Sequence, residues 1–158
     1  MEFSIAINGW KTCYSNNTKM QYRALFGKTS DSRFAGARDG TSNTPAFIET
    51  PLMVYNGGGN AGGYRAWVMN GVTLYDNLNN FPMMALCGGP INCWTYGSTS
   101  STYLPGRVAS WGMSGSLHPA GCNVVMADGS VHFINESTNL TVLTLLCNLA
   151  DGAAVGEF

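Results

Sequence analysis

The chain has 158 residues, only 11% of them charged, and a formal net charge of −1. That length makes one domain, residues 1–158, with room for a real core. The near-neutral, weakly charged composition excludes an electrostatic footprint for nucleic acid or an anionic membrane surface, and its Gly, Asn, Ser and Thr point to many turns.

Glu2 to Asn8 sets Phe3, Ile5 and Ile7 against Ser4, Ala6 and Asn8, the period of a half-buried strand. Residues 11–22 are polar and loop-like, and Asn16-Asn17-Thr18 is formally a glycosylation sequon. The segment DGTSNTPAFIET, from Asp39 to Thr50, has two readings. Asp39, Ser42, Asn43 and Glu49 supply the oxygens that a hard cation or a sugar wants, with calcium at Asp39 and Glu49 the cation reading. The same residues also read as a turn at Asp39-Gly40 whose side chains bond their own backbone and lead into a strand.

NGGGNAGG, residues 56–63, is a flexible loop and not a phosphate loop, since no Gly-Lys-Ser/Thr follows. Residues 64–72 read as a strand with apolar residues on both sides, which implies burial on both faces or a contact surface. Five cysteines, Cys13, Cys87, Cys93, Cys122 and Cys147, include no C-x-x-C pair, so zinc-ribbon and thioredoxin readings fail. Cys87 and Cys93 bracket a bendable GGPIN loop and are the expected disulfide, with Cys122 and Cys147 as buried thiols. A fully reduced set is the alternative. Trp94, Tyr96 and Tyr103 lie in a Gly-, Ser- and Thr-rich stretch, either as a partner or carbohydrate surface or as anchors of a long loop.

The C-terminal third carries the strongest local signal. Asp128-Gly129 stands between CNVVMA and SVHFI, which predicts a hairpin with a two-residue turn in which Ala127 pairs with Ser130. That register puts Val124, Met126, Val131 and Phe133 on one apolar face. Residues 107–116 lead into it as one more possible strand. A helix follows from about Asn139 to Leu149, capped by Ser137 or Thr138, with Val142, Leu145, Leu146 and Leu149 as the stripe that covers the hairpin. Asp151-Gly152 stops the helix, and the closing residues are apolar enough to dock back.

His118, nine intervening residues, then Asp128-Gly129 resembles the H-x9-D-G signature of bacterial proteins with prepilin-type N-termini. DGTSNTPAFIE resembles a second block of the same pilin-like family, a domain of unknown function, roughly D-G-x-S-N-T-x4-E. Pro90 to Cys93 and Gly156-Glu157 resemble that family more weakly. The resemblance implies a pilin- or pseudopilin-like subunit, exported to the bacterial cell surface and cleaved by a prepilin peptidase. Its N-terminal helix would pack a filament core and its β-rich head would face outward. No apolar run here reaches the roughly 18 residues of a membrane-spanning helix, and no signal peptide pattern is visible. The chain therefore reads as the head, with membrane contact only through a helix that it does not contain.

Chemistry is sparse. Ser116, His118 and Asp128 are the residue types of a hydrolase triad, but no nucleophile elbow accompanies them, and the acidic residues are too scattered for a paired-carboxylate mechanism. His118 reads as a structural histidine and Asp128 as a turn residue. The expected fold is α+β and β-rich, a twisted antiparallel sheet with the hairpin at its centre and a short C-terminal helix. The expected function is that of a non-enzymatic subunit of an extracellular filament or secretion pseudopilus, with other copies or pilin-like subunits as partners and no cofactor. A surface module for glycan or calcium is the alternative, and a hydrolase the remote one.

Overall fold

The computed structural model describes residues 2–6, 25, 33–51, 53–54, 71–72, 89, 91–94, 103–108, 113–146, 152 and 155–156. Cys87, Tyr96, the loop at 56–63 and the sequon lie outside the described residues.

Among the described residues the fold is β-rich with one short helix. The strands are β1 (Glu2–Ala6), β2 (Pro45–Thr50), β3 (Met53–Val54), β4 (Gly71–Val72), β5 (Arg107–Val108), β6 (Gly121–Met126) and β7 (Val131–Asn135), and the helix is α1 (Leu140–Leu146). A five-stranded sheet runs in the order β4-β1-β2-β6-β7, and β3 pairs with β5 in a second, two-stranded sheet. β1, β2, β6 and β7 are successively antiparallel, whereas β4 joins β1, and β5 joins β3, in parallel. The sheet is thus mixed rather than wholly antiparallel. Among the described residues the hairpin forms one end of it, because β2 pairs with β6 and leaves β7 outermost.

The hairpin exists where the sequence predicts it, but its register is shifted. Val125 faces Val131, Val124 faces His132 and Cys122 faces Ile134. Met126 N donates to Ser130 O at 2.8 Å and Gly129 N donates to Met126 O at 3.0 Å, which makes a three-residue loop of Ala127, Asp128 and Gly129. Gly129 has φ +89, and Asp128 has no positive φ. The two-residue turn needs positive φ at both central positions; the three-residue loop needs it only at the glycine. Side chains alternate with period two, so the one-residue slip turns β7 over. Ile134 joins Cys122, Val124 and Met126 in the interior, while Val131 and Phe133 are exposed.

The interior face is closed by α1. Ile48, Ile91, Cys122, Val124, Met126, Ile134, Leu143 and Leu146 form one buried cluster, with Val142 and Val155 packed against it. The helix covers the hairpin as its apolar stripe predicts, but on the opposite side of β7, and Leu143 rather than Leu145 is fully buried. Asn139 caps it by accepting Thr141 N at 2.8 Å. Ser137 and Thr138 do not cap, because the helix begins only at Leu140, after a turn in which Asn135 accepts their backbone N–H groups and the Ser137 hydroxyl. Val155, partly buried, packs against this cluster, as the docking of the apolar tail requires at that position.

Candidate functional site

The two main motif blocks meet on the outer face of the sheet. Glu49 and Phe47 share that face of β2, opposite Ile48 in the core. The β2–β6 ladder runs as far as Ile48 facing Val124. Beyond it the Glu49 carboxylate replaces a ladder carbonyl, since its Oε2 accepts Asn123 N at 2.8 Å and Asn123 Nδ2 at 3.2 Å. The Glu49 backbone carbonyl accepts Gly115 N at 3.0 Å, and Thr50 Oγ1 donates to Met113 O at 2.9 Å. Glu49 is 3% exposed. A carboxylate so far from water needs donors around it, and His118 supplies the last contact, its Nε2 3.6 Å from Glu49 Oε1. The pair is ionic when the imidazole is protonated.

His118 is placed by its own loop. Its N–H donates to Ser116 Oγ at 3.0 Å, and Ser116 Oγ donates to Gly121 O at 2.7 Å. The hydroxyl is therefore a splint between the two ends of the loop, and Ser116, His118 and Asp128 form no relay. Asp128 Oδ1 accepts Ser130 Oγ at 2.7 Å and Ser130 N at 2.9 Å. These bonds, the hydroxyl first, hold the Asp128 carboxyl below the usual carboxylate range.

The blocks are joined again at their other ends. Ala127 N donates to Thr44 O at 2.8 Å and Asp128 N donates to Thr41 O at 3.2 Å. The residues of Asp39 to Thr44 make a turn whose glycine, Gly40, has φ +92. Asn43 Nδ2 donates to Asp39 O and Thr44 Oγ1 to Gly40 O, both at 3.0 Å. Asp39 Oδ1 accepts Gly152 N at 2.9 Å, which ties the C-terminal segment to this turn. Ser42 is exposed on it. No group of three or more His, Cys, Asp or Glu able to hold a metal occurs among the described residues. Glu49 turns its oxygens to Asn123 and His118, and Asp39 turns one to Gly152.

Residues 91–93 of the weaker motif dock on the same loop. Asn92 Oδ1 accepts Ser116 N at 2.8 Å, Asn92 Nδ2 donates to Glu136 Oε2 at 3.1 Å, and Asn92 N donates to Ser114 O at 3.2 Å. Asn92 has φ 55, a region that asparagine tolerates better than most residues. Gly115 lets this happen, since a Cβ there would stand 3.0 Å from Asn92 Oδ1 and 3.2 Å from the Trp94 ring. No periodicity or motif chemistry marks Asn92, Ser116 or Asn123 as partners; their roles come from residues far along the chain.

Trp94 is 8% exposed, and its carbonyl accepts Leu104 N at 3.2 Å. Tyr103 is 58% exposed, so these two aromatics do not share one surface. Cys93 is disulfide-bonded to a partner outside the described residues. Cys122 is a buried free thiol. Burial, and then the negative charge of Glu49, pushes its pKa up to about 12.

Fold and site define a β-rich domain whose motif residues lock one segment of chain onto another. The chain belongs to the DUF1559 family, described as a protein of unknown function, which matches residues 8–141. No curated protein and no solved structure matches it.

Proposed function

We propose that this domain is the head of a pilin-like protein, a non-enzymatic structural subunit of an extracellular bacterial filament or secretion pseudopilus that assembles through head–head contacts. The observation that carries this reading is the use made of the motif residues. His118, Glu49, Asn123 and Asp39 direct polar atoms at one another or at the backbone of a distant segment. Such an arrangement supports a role in holding a shape. The H-x9-D-G resemblance supplies the pilin-like class, the export and the other pilin-like subunits as partners.

The test is the intact mass and N-terminal sequence of the native protein from a cell-surface fraction. The expected result is a species that begins with a methylated hydrophobic helix and is recovered in ordered polymers. A monomer with no such helix in that fraction would overturn the reading.

The second reading, a surface module for glycans, rests on Tyr103. It stands exposed beside exposed Leu104 and Pro105, and Leu117 lies over Gly106, where a Cβ would meet the leucine at 3.2 Å. A glycan array probed with wild type and Tyr103→Ala separates the two; binding that the substitution abolishes favours the module.

A further inference from the structure

β7 ends the sheet among the described residues, and its open edge has a defined polarity. Met126 N bonds Ser130 O, and Glu136 N bonds Ala120 O, each at 2.8 Å. With the register between them, the ladder-bonded positions of β7 are His132 and Ile134. The backbone N–H and C=O groups of Val131 and Phe133 therefore point away from β6. The side chains of both are exposed, Val131 at 63% and Phe133 at 45%. Edge strands are ordinarily protected by charge, proline, glycine bulges or extreme shortness. VHFIN carries no Lys, Arg, Asp, Glu, Pro or Gly.

Charge selects the occupant. From Gly121 to Leu140 the only acids are Asp128 and Glu136, and the only basic side chain is His132. A second β7, laid antiparallel so that outward backbone groups face each other, has few registers open to it. Centred on His132, it sets Glu136 against Asp128 of the other copy. Centred on Phe133, it sets Glu136 against Ser130, beside that same acid. Centred on Ile134, it sets Glu136 against His132 of the other copy, and does so twice by symmetry. Opposite charges across strands stabilise and like charges destabilise. Glu136 is already oriented by Asn92 Nδ2 at 3.1 Å, and the His132 ring by Ser130 Oγ at 3.2 Å from Nε2.

We propose that β7 is a self-pairing edge, at which two copies of this chain join antiparallel about Ile134 into one continuous sheet. Phe133 pairs through its backbone with Asn135 of the other copy, whose carbonyl uses its second lone pair for the Phe133 N–H while keeping the bond from its own Thr138 N, and the two Phe133 rings lie diagonal to one another across the joint. The contact is isologous and closes as a dimer. It names one head–head contact for the assembly proposed above and rests on that reading only for its use in a filament.

Sedimentation of the whole chain over a concentration series tests it, with folding of each variant checked by near-ultraviolet circular dichroism. The expected result is a monomer–dimer equilibrium. Phe133→Pro removes an outward N–H without touching the hairpin ladder and leaves only monomer. His132→Glu weakens the dimer roughly tenfold, and adding Glu136→Lys restores it. A monomer at every concentration would overturn the proposal, as would a dimer indifferent to Phe133→Pro or a charge reversal that restores nothing. Filament membership is read from native surface material, so either idea can fail alone.

Discussion

His118 Nε2 lies 3.6 Å from Glu49 Oε1, and this contact joins the H-x9-D-G block to the D-G-x-S-N-T-x4-E block across the outer face of the sheet. The two residues contribute unequally. The Glu49 side chain is 4% exposed and that of His118 46%, so the carboxylate is the member that cannot fall back on water.

Replacing Glu49 by Ala strips Asn123 N of its acceptor and leaves the histidine unpaired, at an expected cost of about 3 kcal/mol. His118→Ala removes a half-exposed partner and costs about 1 kcal/mol. Urea denaturation of both variants and of the double mutant gives the coupling directly. Equal costs for the two single variants would contradict this division.

Cys122 makes the stability of the fold decline in alkali. The unfolded thiol ionises near 9.0, while the folded one keeps its proton up to about 12. Between those values the folded state binds more protons. The thiol's contribution is therefore complete below the unfolded value and is lost as pH rises, by about 1.4 kcal/mol per unit. The difference between wild type and Cys122→Ala, followed by denaturation from pH 8 upward (roughly the onset of thiol ionisation), should shrink by that slope. In the native protein this thiol should also resist alkylation.

Asp128 behaves in the opposite sense. Its folded carboxyl is held below the usual range, so its contribution is present above the unfolded value and disappears as pH falls through the folded one. Asp128→Asn should flatten this acid limb of the stability profile. Gly129→Ala should cost about 1 kcal/mol at any pH, since φ +89 is strained for a residue with a Cβ.

Gly121 admits no side chain. A Cβ there would stand 2.2 Å from Ile134 O and 2.8 Å from the Phe133 ring. Gly121→Ala must push apart the start of the hairpin and should cost about 3 kcal/mol. A thermal midpoint within a degree or so of wild type (roughly the shift of a few tenths of a kcal/mol) would contradict that account.

Much of the C-terminal third was legible in local signals. Asp128-Gly129 announced the hairpin, and the spacing of Val142 and Leu146 announced the helix that covers it. The register was not, because an Asp-Gly pair serves a two-residue turn and the end of a three-residue loop alike; only the backbone of Asp128 separates them. The cap is Asn139 because the turn that follows β7, held by Asn135, carries the chain past Ser137 and Thr138 before the helix begins at Leu140. The site itself was legible as motifs but not as contacts. Glu49 read as an oxygen among other oxygens, and nothing near it in sequence indicated that Asn123 and His118 would supply its donors. Non-local partners leave no period.

The clamp between Thr41–Glu49 and Gly115–Asp128 also orders events in time. β2 emerges from the ribosome well before its partner β6, so its apolar Ile48 stays exposed until the last third of the chain has been made. The hairpin and α1 use near neighbours and close quickly, whereas β2 waits for a long loop to be closed. A chain passing N-terminus first through any narrow exit thus carries β2, paired with β1 on one edge only, ahead of the strand and helix that will cover it, and is most prone to aggregate in that interval.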